Sequence, residues 1–365
     1  MANVKITELP ELTAPAAADL LEIVDDVAGT PTSKKVTVGN ILSDRASKTT
    51  AILSKTIGSG GDYATFAAAI ADCPNLIANP VIYTSKAGTT LTETCTIANK
   101  HGITSAGHIE INAEKYFPTS GEIPTADSAT ATTLRDAALA TAALGDDYFN
   151  GCWVFIVDGT GTDNGFVPIT DYVDATGDVV VASWPGTQPD NTSRYLIVGA
   201  LIDGYSFHLL NNSINIFLKG IGLNASASGY GGYRIWANRQ IYMKYCGVYG
   251  CTFSGISCLN NSRADPQYCG IVGNNTSSNG NEAGIKISDG CSIVRVYYCG
   301  ISDNNNYGII CSYNSFGNEW NCFGDGNGTF GLYAMVSSSG GITGSGCSGS
   351  SGSHSNGVGD GSLTY

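Results

Sequence analysis

From residue 232 onward the apolar positions of the chain recur in register. A glycine followed by an apolar or aromatic residue opens each unit, at Gly232, Gly255, Gly284, Gly308 and Gly331, at intervals of 23, 29, 24 and 23 residues. Stacking the units gives one column of Tyr233, Ile256, Ile285, Ile309 and Leu332, and a second of Ile235, Cys258, Ile287, Cys311 and Ala334. Residues two apart on a strand share a face, so both columns are predicted to point inward and build one continuous core. Between them lie turn formers such as Gly273-Asn274-Asn275 and Ser302-Asp303-Asn304-Asn305-Asn306, which tolerate left-handed backbone and whose stacked amides can bond along the ladder. A period of this length predicts a solenoid. The fold expected is mainly β, a right-handed single-stranded parallel β-helix of about 23 residues per turn. The 29-residue unit fits if TSSNGNEAG bulges outward as a longer loop.

Earlier turns are legible in Val81-Ile82-Tyr83, Ile109-Glu110-Ile111, and Ile214 to Leu218 followed by Gly220 to Leu223. Ahead of them, DYATFAAAIADCP predicts a short amphipathic helix capped by Asp62, ended by Pro74, with Tyr63, Phe66, Ile70 and Cys73 on one side. Such a helix would cover the raw apolar end of the coil. Between residues 137 and 198, hydrophobic runs alternate with Gly/Asp/Asn turns at hairpin distances, which predicts a small antiparallel β module. The division expected is therefore residues 1–45 as a separate segment, 46–131 as cap helix and first turns, 132–199 as the inserted module, 200–336 as the repeats, and 337–365 as a Gly/Ser-rich C-terminal region with weak strand propensity, flexible or ordered by neighbouring chains.

The first segment is too short to bury a core alone and is expected to order against a partner. Its landmarks are ITELP, LLEIVDD and SKKVTVGNIL, running continuously from Ile6 to Leu42, with Leu9, Leu12, Leu20, Leu21, Ile23 and Val24 as its apolar positions. This run resembles the N-terminal motif of bacteriophage tail-fibre, tailspike and other virion-surface proteins. The glycine run Gly58 to Gly61 with the helix after it resembles the opening of pectate-lyase-like β-helix proteins. The DDYFNG, GTG and ITDY landmarks of the module are similar to a unit inserted in several phage structural proteins. The resemblance implies attachment to other virion proteins through residues 1–45, a homotrimer, assembly in the host cytoplasm and exposure on the particle at tail, collar or capsid.

Composition narrows the remaining choices. The net charge is −13 and no Lys/Arg block occurs, so nucleic acid is not an expected partner. The first ten residues lack the apolar run of a secretory signal, and no stretch of 18 apolar residues occurs, so neither export by a leader nor membrane insertion is expected. Twelve cysteines are present without a CxxC pair. Five of them, Cys246, Cys269, Cys299, Cys322 and Cys347, follow the opening glycines at nearly constant distance. Neighbouring turns would place their Cα atoms about 4.8 Å apart, within disulfide range, so the column reads either as reduced core filler, which cytoplasmic assembly favours, or as a disulfide ladder.

Catalytic signals are sparse. Glycoside hydrolysis needs two carboxylates with one held protonated, and Asp289, Asp303, Glu319 and Asp325 are the acids of the repeats considered for it. A lyase would need a cation such as Lys286 or Arg295. None forms a recognisable signature, and acids of this kind are commonly turn formers. Tyr297, Tyr298, Tyr307, Tyr313 and Trp320 are candidates to stack on sugars. The Asp163-Asn164-Gly165 and Asp325-Gly326-Asn327-Gly328 loops lack calcium-loop spacing and read as turns, so neither metal nor cofactor is expected. The reading favoured is a virion structural protein; the alternatives are a tailspike-like polysaccharide depolymerase (hydrolase or lyase) and a non-catalytic adhesin for a host cell-surface glycan.

Overall fold

A computed structural model describes residues 20–25, 32–37, 49, 51–117, 122–225, 231–277, 282–290, 293–313, 315–334, 339–343, 348, 352–356 and 362–364. Three parallel sheets wrap into a β-solenoid. The first face has ten strands, from Leu53–Ile57 to Ser362–Thr364; the second has six, from Thr89–Leu91 to Gly300–Ser302; the third has eight, from Cys95–Ala98 to Gly352–Asn356. From Val81–Ser85 to Tyr307–Cys311 the chain visits the faces in that order turn after turn, as in Asn215–Lys219, Ile221–Asn224 and Tyr233–Trp236 before the next turn begins at Gln240–Lys244. Ten strands stacked at the interstrand distance make the first face roughly 43 Å long.

The register is the one the repeat predicts. Tyr233 pairs with Ile256, Ile256 with Ile285, Ile285 with Ile309 and Ile309 with Leu332; Ile235, Cys258, Ile287, Cys311 and Ala334 follow in step. All ten are buried in one core that runs from Ile57 to Ala334. The opening glycines are sterically required. A Cβ on Gly232 would stand 2.4 Å from the carbonyl oxygen of Gly255, and Gly255, Gly284 and Gly308 face the next glycine's carbonyl at 2.6 to 2.9 Å.

The solenoid continues beyond the region of strong pattern. Ser339–Thr343 pairs with Phe316–Trp320, Gly352–Asn356 with Phe330–Ala334, and Ser362–Thr364 with Ser339–Thr343. Parallel ladders bond through the backbone, so Gly and Ser can inherit a register from the turn below despite poor strand propensity. The loop expected to absorb the long unit, residues 276–284, lies partly outside the described residues.

Helix α1, Phe66–Asp72, buries Phe66, Ala69 and the adjoining Cys73 against the first turns. Its N-cap is Thr65, whose hydroxyl accepts from Ala68 N at 3.2 Å, and not Asp62. Asp62 is held instead by the backbone N–H and hydroxyl of Thr56, because Tyr63 still pairs back to Thr56 and the helix starts later. Glu93 completes the cap by accepting from Phe66 N at 2.6 Å.

The antiparallel module interrupts one turn between His108–Ala113 on the first face and Ala200–Asp203 on the second, a corner that Gly220 alone spans one turn later. Its six strands lie in the order Ser128–Ala129, Thr133–Arg135, Asp178–Val181, Phe166–Val173, Trp153–Asp158, Arg194–Val198. Helix α2, Ala137–Thr141, is capped by Asp136, whose other carboxylate oxygen accepts from Tyr195 Oη at 2.7 Å. The strand Trp153–Asp158 is apolar on both sides for a reason: Val154 and Ile156 enter the module's own core, while Phe155 and Val157 pack toward the second face. Burying side chains of that size stabilises by roughly 1.5–3 kcal/mol each.

Candidate functional site

The corner between first and second faces is built by a repeated tripeptide, Tyr245-Cys246-Gly247, Tyr268-Cys269-Gly270 and Tyr298-Cys299-Gly300. Each tyrosine takes a left-handed conformation, with φ of 55, 53 and 52°. This conformation is uncommon for a bulky residue and is supported here by stacking. Tyr116, Tyr245, Tyr268 and Tyr298 form an outer ladder with centroids 5.4 to 5.5 Å apart. The cysteines turn inward. Cys246, Cys269, Cys299 and Cys322 are buried, and each thiol donates to the carbonyl two residues earlier at 3.3 to 3.6 Å. Burial pushes the thiols of Cys246 and Cys299 up. Cys347 lies outside the described residues.

Other corners carry amides. Asn304 sits between Asn274 and Asn327: Asn274 Nδ2 donates to Asn304 Oδ1 and Asn304 Nδ2 to Asn327 Oδ1, both at 3.0 Å. Between third and first faces, Asn212 Nδ2 donates to Asn238 Oδ1 at 2.8 Å. All five amides are at most 2 % exposed.

The acids considered for catalysis are dispersed. Asp289 is exposed in a turn after the third face, with φ of 63°. Glu319 points into the coil, stacked on Val296 and 1 % exposed. Asp303 and Asp325 are exposed at the corner between second and third faces, where Asp303 N donates to Asp325 O at 2.9 Å. Of the cations, Lys286 is on the third face and Arg295 on the first. Tyr298 belongs to the corner ladder and Tyr307 stacks on Tyr333 at 4.6 Å. Tyr297 and Trp320 do meet on the first face, 6.0 Å apart, and Trp320 and Tyr313 are exposed. Asp163 accepts from the backbone and hydroxyl of Thr187, and Asn327 belongs to the amide ladder. Among the described residues no group of three or more His, Cys, Asp or Glu is arranged to hold a metal ion, and no helix is long and apolar enough to cross a membrane.

One acid with unusual surroundings gives no sequence signal. Asp158 ends the module strand facing the second face, and Ser302 Oγ donates to its carboxylate at 3.3 Å. Burial pushes its pKa up, and the charge of Asp325 adds to that; Gly159 N–H and Arg194 act the other way. The Arg194 guanidinium lies 4.0 Å over the Phe323 ring. The seam thus joins a carboxyl biased toward protonation to a second carboxylate and a cation, the elements of general acid chemistry. No local pattern of residues marks it, because Ser302 and Asp325 lie more than a hundred residues along the chain from Asp158.

Of the apolar positions expected to attach the first segment, Leu20, Leu21, Ile23 and Val24 lie in the strand Leu20–Asp25, which pairs antiparallel with Thr32–Thr37. Ile6, Leu9 and Leu12 fall outside the described residues.

No protein-family model and no curated protein sequence matches the chain significantly. Among solved structures it is similar to the tailspike protein gp49 from Pseudomonas phage LKA1, at 11 % identity over 74 % of this chain, with a TM-score of 0.19. It spans 60 % of that protein's length. It is also similar to the GH136 lacto-N-biosidase from Eubacterium ramulus, at 9 % identity over 86 % of this chain and 68 % of that one, with a TM-score of 0.22.

Proposed function

We propose that the protein is a structural component of a phage particle, attached to other virion proteins through residues 1–45, assembled as a trimer, and displaying the solenoid outward. The observation that carries this reading is the continuous run from Ile6 to Leu42, which resembles a virion-attachment motif and stands ahead of the coil. Its pairing of Leu20–Asp25 with Thr32–Thr37 is a two-stranded hairpin, too small to be stable in water without a partner to pack on. The solenoid supports the same reading: its corners are filled by thiol and amide ladders that serve the coil itself. Immunogold labelling of intact particles tests the proposal. Gold at a fixed position on the virion is expected, and absence of the protein from purified particles overturns it.

The alternative of a polysaccharide depolymerase is favoured by one observation, the Asp158 carboxyl at the seam, where Ser302 Oγ donates to it at 3.3 Å and burial, then the charge of Asp325, push its pKa up. Release of reducing ends or unsaturated products from host polysaccharide is its measurement.

A further inference from the structure

Where the third face hands over to the first, one backbone conformation recurs turn after turn. Asn99, Asn211, Ala237, Asn260, Asp289 and Tyr313 hold the same place in the register, just past the third-face strands. All six are left-handed, with φ of 56, 55, 52, 52, 63 and 53°. Asn and Asp suit that conformation because their short polar side chains bond locally, and four of the six are Asn or Asp. Ala237 has only a methyl. It carries the left-handed backbone without the side chain that relieves it.

The small side chain opens a notch. Between Asn211, one turn below, and Asn260, one turn above, lies a cavity of about 580 Å³, rimmed by Asn211, Ser213, Ala237, Arg239, Asn260 and Asn261. That volume falls within the range of small-ligand sites, roughly 300–1,000 Å³. Two interstrand steps separate the flanking asparagines by roughly 10 Å at the backbone, an interval that accommodates one sugar ring.

Floor and rim differ. The floor is Asn212 and Asn238, both buried. Asn212 Nδ2 donates to Asn238 Oδ1 at 2.8 Å and Asn238 N to Ser262 Oγ at 3.1 Å, so the floor is fixed before any ligand arrives. On the rim, Asn211 and Asn261 are exposed and Asn260 is half-buried. Among the described residues these three carboxamides bond to no other group of the chain, and each presents both a donor and an acceptor. Among the described residues no carboxylate lines the cavity. Beside it, Leu210, Trp236 and Leu259 stack in register on the outer third face as an apolar shelf.

We propose that this notch binds a neutral hexose unit of a glycan. Neighbouring ring hydroxyls match the paired donor and acceptor of the carboxamides, Arg239 donates to a further oxygen, and the ring's C–H face rests on the shelf at Trp236. The strained alanine has a purpose in this reading, because a residue better suited to the backbone would fill the space the sugar needs. The site stands apart from where the chain sits on a particle.

The test uses two substitutions that both relieve the backbone and act oppositely on the space. Ala237→Asn fills the notch with the side chain that the turns above and below carry, whereas Ala237→Gly widens it. Saturation-transfer NMR is run on the full-length protein with glucose, galactose, mannose and glucuronate, each at a concentration on the order of 10 mM, which suits a single ring on a shallow site. Transfer to at least one of the three neutral hexoses is expected, weakened about tenfold or more by Ala237→Asn and not weakened by Ala237→Gly. Both variants are expected to melt no lower than the unmodified protein, so a loss confined to Ala237→Asn is a loss of space and not of fold. Transfer to none of the three hexoses, with or without transfer to glucuronate, overturns the proposal. So does a signal that the two variants keep alike or lose alike.

Discussion

Gly270 and Val157 face each other across the seam between solenoid and module, and a Cβ on Gly270 would stand 2.2 Å from Val157 Cγ1. The relation is repeated along the second face. Gly222, Gly247, Gly270 and Gly300 are stacked in register, and side chains there would strike Phe166, Phe155 and Val157. A stripe without side chains is what lets an antiparallel sheet sit directly on a parallel one.

Replacing Gly270 with Val is therefore expected to lift the module strand and to destabilise by about 1–3 kcal/mol. Thermal denaturation reads the loss. Limited proteolysis adds direction: cuts within residues 122–198 are expected before cuts in the coil. Unchanged melting and an unchanged proteolytic pattern would show that the module is not seated by this stripe.

The amide ladder is the second load on the coil. Asn304 donates to Asn327 Oδ1 and Ile271 O and accepts from Asn274 N and Nδ2, at 3.0 to 3.1 Å. Leucine at this position would leave several buried groups unpaired, and a loss on the order of 3 kcal/mol is expected. Asn304→Asp adds a pH signature. A carboxylate buried there is less favourable than in the unfolded chain, so its folded pKa is raised, and stability should fall as pH climbs from about 4 through that raised value. Equal stability of this variant at pH 4 and pH 7 would contradict the burial of the ladder.

For the cysteines the expectation is chemical silence. All ten described cysteines are buried, and burial pushes the thiols of Cys251 and Cys152 up to about 12 and those of Cys258 and Cys311 up as well. The thiolate is the reactive form, so maleimide at pH 7.5 should attach to no more than two of the twelve cysteines in the native protein. Denatured protein should take up many more. Three or more native labels would mean that the coil breathes open at its corners.

How much was legible follows from what sets each feature. The inward columns and their register were readable because every turn repeats one chemical demand, as Ile256 on Ile285 on Ile309 shows. Position 62 misled because an acid before a helix looks like a cap, whereas the backbone pairing of Tyr63 with Thr56 delays the helix to Thr65. Glu319 looked like a groove acid because charge argues for exposure, yet the ladder register fixes it inside, beyond Val296. The final turns were hidden since Gly and Ser reveal little until a lower turn templates them. Asp158 was invisible for a different reason. Its neighbours Ser302 and Asp325 come from the far side of an insertion, and only the folded seam brings them near.

That seam gives the last prediction. Burial first, and the Asp325 charge second, raise the Asp158 pKa, so the folded protein binds this proton more tightly than the unfolded chain does. The sign follows: stability is lost as pH rises from the unfolded value, about 3.9, through the folded one, and ionised Asp158 is a standing cost above that. Asp158→Asn should therefore melt no lower than the unmodified protein at pH 7, and its advantage should vanish in acid below the unfolded pKa. If the seam hydrolyses glycan, the same variant should lose about a hundredfold or more of the reducing-end release, since a general acid commonly contributes that much. Higher stability with lost activity marks a proton held for catalysis. Release of reducing ends that the substitution leaves intact removes Asp158 from the chemistry, and a variant that melts lower at pH 7 shows that Arg194 keeps the carboxylate charged after all.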